Sequence, residues 1–148
     1  MKRFILLLSG ILAFAGCGEH RNAELRKAVP GTWLLAIPYP GGEIFKGTTT
    51  IASNGSFNCQ TIVLVRSNTV HGMKYNIVRT VRFEGTVQIK DGLYIETTTH
   101  HSDTNKHVPY TLVARIVRVN DNEMALLFGG PPGTPFVTTE TVFQRVRR

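Results

Sequence analysis

The sequence VRFEGTVQIK at residues 81–90, followed by DG at 91–92 and LYIETTT at 93–99, decides the fold class of this protein. Apolar and polar side chains alternate along the first of these segments, and such a period of two is typical of a β-strand with one buried face. Asp91-Gly92 predicts a tight two-residue turn, because glycine accepts the positive φ angle that the turn requires. Together these residues predict an antiparallel hairpin.

Similar segments follow one another from Gly31 to the C-terminal region, with turn residues about every ten positions. Most connections are short, which favours antiparallel pairing of consecutive strands. Eight strands with one apolar face would close into a barrel and so hide their edges. We therefore predict an all-β domain over residues 31–148, an eight-stranded antiparallel up-and-down barrel. Its strands are expected at about residues 31–37, 43–52, 56–66, 76–90, 92–99, 110–120, 123–128 and 136–146.

The sixth of these segments breaks its own period. Leu112, Ala114 and Ile116 share one face, but Arg115 and Arg118 cannot both point outward unless one extra residue resets the alternation. We therefore predict a β-bulge near Val117.

The N-terminal residues have the character of an export signal. Lys2 and Arg3 precede an apolar run over residues 4–15 that is broken only by Ser9 and Gly10. The run is shorter than the roughly 20 residues needed to span a bilayer. A positive start, a short apolar run and small residues at its end predict a signal peptide over residues 1–16.

Phe14-Ala15-Gly16-Cys17 resembles the lipobox of bacterial lipoproteins, although that family usually has leucine where Phe14 stands. The resemblance implies that the thiol of Cys17 is acylated and that cleavage makes this cysteine the first residue. The membrane would then be a partner through the lipid anchor, and the protein would lie in the bacterial cell envelope. Gly18 after the cysteine favours the outer membrane, facing the periplasm. The alternative is an ordinary signal peptide that happens to precede a cysteine.

Between the anchor and the barrel, residues 17–30 are expected to form a lipidated tether with one or two helical turns. Pro30 ends the helix, because the residue before a proline avoids helical backbone angles. With Cys17 acylated, Cys59 has no partner for a disulfide, and a lone thiol is expected to be buried.

Gly31-Thr32-Trp33 at the start of the first strand, a helical turn before it, and Phe143-Gln144-Arg145 in the last strand resemble the lipocalin-like barrels. In that superfamily the tryptophan closes one end of the barrel and an arginine lies over it. The resemblance implies these structural roles for Trp33 and Arg145. A guanidinium on an indole face contributes about 0.5–2 kcal/mol.

The sequence does not favour an enzyme. No nucleophile motif is present, and Glu84 and Glu96 are predicted on outward faces, so we expect no catalytic residues and no cofactor. His100, His101, His107 and Asp103 lie in one loop, but the two adjacent histidines point to opposite faces of a strand. We therefore interpret these four residues as part of a solvated loop rather than as a metal site.

The chain is basic, with a formal net charge of +7. It carries no basic stripe interleaved with aromatic residues, so we expect no nucleic acid partner. Anionic lipid headgroups or an acidic polymer of the envelope would match the charge better, and a solvated basic surface is the simplest interpretation.

An eight-stranded barrel is either filled by its own side chains or just wide enough for one small ligand. The predicted inward residues are Phe45, Thr49, Ile51, Phe57, Thr61, Arg79, Phe83, Ile95, Thr97 and Thr99. Of these, we expect Arg79, Phe45, Phe57, Phe83 and Thr97 to contact a ligand. An inward arginine is costly unless paired, so Arg79 should lie at the open mouth, be turned out by a bulge, or meet an anion.

Two functions are compatible with this pattern. The first is a binding protein that holds a small amphipathic or apolar ligand, with the head of an acidic ligand meeting Arg79. The second is a filled barrel that acts as a structural or interaction module of the envelope. The sequence identifies neither the ligand nor a protein partner.

Overall fold

A computed structural model of the chain describes residues 18–38, 43–69, 72–129 and 135–147. The predicted signal peptide over residues 1–16 and the predicted lipidation residue Cys17 lie outside the described residues, as do the loop residues 130–134. The described part contains one helix and eight strands.

The eight strands form a closed antiparallel barrel in which each strand pairs with its neighbours along the chain and the first pairs with the last. This confirms the predicted fold class. The elements are α1 (residues 18–28), β1 (Gly31–Pro38), β2 (Glu43–Ile51), β3 (Ser56–Thr69), β4 (Gly72–Lys90), β5 (Leu93–His101), β6 (Tyr110–Val119), β7 (Glu123–Phe128) and β8 (Thr141–Arg145).

The turn between β4 and β5 fixes which side chains of β5 face the interior. Asp91 and Gly92 both have positive φ, 54° and 74°, as the predicted tight turn requires. The turn sets Lys90 opposite Leu93 and Ile89 opposite Tyr94. Opposed residues share a face of the sheet, so Tyr94 points inward with Ile89, and Leu93 points outward with Lys90.

The sequence interpretation of β5 is therefore wrong by one residue. Ile95 and Thr97 lie on the outer face, opposite the exposed residues Gln88 and Thr86, whereas Glu96, predicted to face outward, faces inward opposite the buried Val87. Side chains in a strand alternate between two faces, so an error of one residue in the register moves every side chain of the strand to the opposite face.

Three irregularities in the ladder change side-chain directions locally. One lies between Ile116 and Arg118, which confirms the bulge predicted near Val117. A second leaves Thr99 without a partner between Thr98 and His100, so Thr99 is exposed rather than inward. A third leaves Val78 without a partner in the β3–β4 ladder, next to Arg79.

One end of the barrel is closed by α1 and a tryptophan. Trp33 is fully buried, and its indole N–H donates a hydrogen bond to the carbonyl of Val29 at 2.8 Å. From α1, Asn22 accepts a hydrogen bond from the Gly92 amide at 3.0 Å, and Arg26 donates to the carbonyl of Ile89 at 3.2 Å. The described helix has about three turns rather than the one or two expected, because these contacts stabilise residues that would not hold a helix alone.

At the other end, β3 and β4 continue beyond the barrel as a hairpin. Both strands are longer than predicted, since a two-stranded ladder satisfies its own inner hydrogen bonds without further neighbours. The side chains of Ile77 and Val78 on this projection are about three-fifths exposed.

Candidate functional site

The inward-facing side chains are buried at the closed end and accessible at the opposite end. Trp33, Ile51 and Met124 are at most 3% exposed. Ile37 and Leu112 also have the inward phase of their strands, yet they are 36% and 40% exposed. The interior is therefore closely packed around Trp33 and more exposed toward the opposite end of the barrel, which we call the mouth.

An aromatic wall lines one side of the interior. The Phe57 and Phe83 rings meet edge to face with centroids 6.1 Å apart, and the His101 ring stacks on Phe83 at 5.6 Å. Tyr110 continues the series at 6.3 Å from His101. These four rings, here called the aromatic wall, run from the buried Phe57 to the half-buried residues near the mouth.

A carboxylate lies within the same interior. The Tyr94 hydroxyl donates a hydrogen bond to Glu96 Oε2 at 2.7 Å. Tyr94 is buried and Glu96 half-buried, so solvent reaches the carboxylate only through the barrel. Burial raises the pKa of Glu96, although the hydrogen bond from Tyr94 opposes this rise. Burial, with the nearby Glu96 charge, also places the pKa of Tyr94 well above its ordinary value.

Hydroxyl groups and a thiol complete the polar part of the interior. Thr49 Oγ1 donates to Cys59 Sγ at 3.2 Å, and Thr61 Oγ1 lies 3.8 Å from the same sulfur. Burial raises the pKa of Cys59, so the thiol is protonated and suited to packing rather than to nucleophilic chemistry. The Thr98 hydroxyl is fully buried and has no hydrogen-bond partner among the residues described.

Arg79 lies on the mouth side of the barrel, opposite Val63, and its guanidinium forms an ion pair with Asp103. The side chain of Arg79 is more than half exposed. Its charge is thus compensated within the chain, by a loop residue whose backbone amide is in turn bonded to His101 Nδ1 at 3.0 Å. Within the described ranges, no three histidine, cysteine, aspartate or glutamate residues are grouped as a metal site would require.

The other residues predicted for the site are placed as follows. Phe45, Phe57 and Phe83 all have the inward phase of their strands, with Phe57 buried and the other two half-buried. Thr97, expected to contact a ligand, lies on the outer face, and its hydroxyl is 3.1 Å from that of Thr111.

At the closed end the structure brings Trp33 and Arg145 together. The guanidinium lies 4.1 Å from the centroid of the indole and donates hydrogen bonds to the carbonyls of Pro30 and Ala28. This pair holds α1 to the barrel and lies far from the mouth.

The sequence interpretation missed Tyr94 and Glu96, and a signal for them was present. A two-residue turn at Asp91-Gly92 must set Lys90 opposite Leu93. Ile89 shares the phase of Phe83, which was predicted to face inward, so Tyr94 opposite Ile89 had to face inward as well, and Glu96 two residues later with it.

A groove lies at the closed end, outside the barrel interior. This groove has a volume of about 470 Å³ and runs between α1 and the turn that joins β2 to β3, with Val29, Ile51 and Val87 in its lining. Arg26, also in the lining, is already engaged with the carbonyl of Ile89. The lining of this groove contains none of the inward aromatic residues predicted to contact a ligand, so the mouth is the better candidate for a ligand site.

In the part of the chain that is described, no helix has the length and apolar character needed to cross a bilayer.

Comparisons with known proteins give little beyond the barrel. No protein-family model matches the chain, and no curated protein matches it in sequence. Among solved structures, a de novo designed fluorescence-activating β-barrel is similar, with a TM-score of 0.45 and 14% identity. The similarity covers 82% of this chain and 97% of the designed one.

Proposed function

We propose that this protein is a lipoprotein of the bacterial cell envelope whose barrel binds a small apolar or amphipathic ligand through its mouth. The binding proposal rests on one observation, the difference in exposure of inward side chains between the two ends of the barrel. Inward side chains are fully buried around Trp33 but more than a third exposed at Ile37 and Leu112. A cup with apolar walls and a few polar groups at depth is the usual form of a small-molecule site.

The position of α1 supports the anchoring proposal. Cys17 directly precedes this helix, and the helix lies against the closed end through Asn22 and Arg26. Acyl chains on Cys17 would therefore hold the closed end toward the membrane and leave the mouth directed away from it. Gly18 favours the outer membrane, with the barrel facing the periplasm.

We expect Cys17→Ser to abolish anchoring. A serine hydroxyl does not replace the thiol as the acyl acceptor, so the variant should fail to incorporate lipid and should leave the membrane fraction or remain unprocessed. Fractionation of cells labelled with radioactive palmitate measures both effects. Cys59→Ser is the matched control, because it removes the other cysteine and should keep label and location. Unchanged labelling of the Cys17 variant would contradict the lipoprotein proposal.

We expect a neutral apolar fluorophore such as N-phenyl-1-naphthylamine to bind the purified barrel in the mouth. Phe45→Ala should weaken its binding about 10-fold, since the loss of one apolar contact surface costs about 1.4 kcal/mol. Fluorescence titration measures the change. Ile77→Ala is the control, because it truncates an apolar side chain on the exposed hairpin outside the barrel. Equal losses in both variants, or no binding by the wild type, would contradict the mouth as a ligand site.

The second candidate function is an interaction module. The projecting β3–β4 hairpin favours it, because Tyr75, Ile77 and Val78 are exposed there with aliphatic or aromatic side chains. Failure of every small probe to bind, together with copurification of an envelope protein that is lost when Ile77 and Val78 are replaced by serine, would favour this alternative.

A further inference from the structure

Among the residues that the structure describes, the carboxylate inside the barrel has no cationic partner. Tyr94 donates one hydrogen bond to Glu96, and no lysine, arginine or histidine within the described ranges forms a salt bridge with it. A carboxylate withdrawn from water in this way is unfavourable for the fold unless a positive charge or further donors reach it. Ligand binding would explain a carboxylate at this position, whereas the packing of the barrel does not.

Two arginines of the barrel, Arg79 and Arg145, are already engaged elsewhere. Arg79 at the mouth is paired with Asp103. Arg145 stacks on Trp33 at the closed end and donates to two carbonyls there. Among the described residues, the Glu96 carboxylate is thus left without a salt-bridge partner, although the whole chain is basic.

The surroundings of Glu96 also suit a cation with an apolar body. The carboxylate lies opposite Leu112, whose exposed side chain marks the mouth, so a ligand that enters there can reach it. The aromatic wall presents Phe83 and Tyr110 to the same interior. Aromatic faces attract ammonium groups, and they pack equally well against alkyl chains.

We propose that the ligand of this barrel is an amphipathic amine, whose ammonium group pairs with Glu96 and whose apolar body lies against Phe45 and the aromatic wall. This inference rests on the proposed binding function and specifies its ligand class. It replaces the expectation from the sequence that Arg79 meets the head of an acidic ligand, because Asp103 already neutralises Arg79. In this scheme Tyr94 is a positioning residue, since its hydroxyl holds the carboxylate in place.

The test uses three ligands with the same ten-carbon chain: decylamine, decanol and decanoate. Each displaces N-phenyl-1-naphthylamine from the full mature chain at neutral pH. We expect the wild type to bind decylamine most tightly and decanoate most weakly. Glu96→Gln should weaken decylamine binding about 10- to 100-fold, as the loss of a charge-assisted hydrogen bond would, and should change decanol binding by less than about 3-fold.

One control variant and one stability measurement accompany the test. Glu84→Gln removes the same charge from an exposed position on β4, outside the barrel, and should leave all three affinities unchanged. Glu96→Gln is nearly isosteric and keeps an acceptor for Tyr94. Because burial raises the pKa of Glu96, the neutral amide should be at least as stable as the wild type at neutral pH. Thermal unfolding checks that the loss of binding is not a loss of fold.

The outcomes separate this inference from the function on which it rests. If the fluorophore binds but decylamine binds no more tightly than decanol, or if Glu84→Gln weakens it as much as Glu96→Gln does, the amine proposal is overturned and the binding function stands. Tighter binding of decanoate that is lost in Arg79→Ala would also overturn it, in favour of an acidic ligand. If the fluorophore itself does not bind, the binding function fails.

Discussion

Trp33→Ala is expected to lower the free energy of unfolding by about 3–5 kcal/mol, the range measured for truncation of large core aromatics. The side chain is fully buried at the closed end. Its removal leaves a cavity under α1, breaks the hydrogen bond to the carbonyl of Val29, and takes away the surface on which Arg145 stacks. Urea unfolding followed by far-ultraviolet circular dichroism measures the loss.

Trp33→Phe separates these contributions. It keeps an aromatic ring beneath Arg145 but has no N–H for Val29, so an intermediate stability is expected. Trp33 is the one tryptophan of the chain, so the fluorescence of the wild type reports directly on this position. Emission at the wavelength of tryptophan in water, or a loss below about 1 kcal/mol in the alanine variant, would show that the closed end is not built around this residue.

Gly85→Ala should destabilise the barrel by about 3 kcal/mol, the upper part of the range for overpacking. A Cβ atom at this position would lie within 3 Å of the carbonyl oxygen and carbon of Thr97 on the neighbouring strand. It would also approach the ring of Phe57, which lies across from Gly85 in the β3–β4 ladder. Because the obstacle is backbone, relief requires β4 and β5 to separate. Denaturant unfolding again gives the measurement.

Gly47→Ala is the matched control. Gly47 is also an inward glycine in a strand, but a Cβ there would meet only Thr61 Oγ1 at 3.5 Å and the Phe45 ring at 3.8 Å, which are ordinary contacts. Its effect should stay within about 1 kcal/mol in either direction, because the steric change is small and alanine restricts the unfolded chain. If the two variants differ little, the close approach of β5 to Gly85 is not real.

These two glycines show how small inward residues affect the packing of the barrel. At Gly85 the missing side chain admits the backbone of Thr97 and an aromatic ring, so it contributes to close packing. Exposure of inward side chains is found instead at the mouth, where Ile37 and Leu112 are more than a third exposed. The interior is thus closely packed toward the closed end and more exposed toward the mouth.

The candidate site could be predicted only in part. Phe45, Phe57 and Phe83 were recognisable because each continues an alternation along its own strand. Glu96 was assigned to the wrong face, and the pairing of Arg79 with Asp103 was not foreseen. This ion pair joins a strand to a loop 24 residues further along the chain, and the alternation within one strand does not predict a contact of that kind.

The sequence by itself determined the strands, the tight turn at Asp91-Gly92 and the bulge near Val117, because backbone preferences and the period of two act over a few residues. Only the tertiary structure decided where Thr99 and Val78 interrupt the ladder and that Arg79 pairs with Asp103. Side-chain direction in a sheet depends on register between strands, and one unpaired residue reverses it. The site inside the barrel depends on that register, because the turn at Asp91-Gly92 sets Tyr94 opposite Ile89 and Glu96 opposite Val87 and so turns both side chains inward.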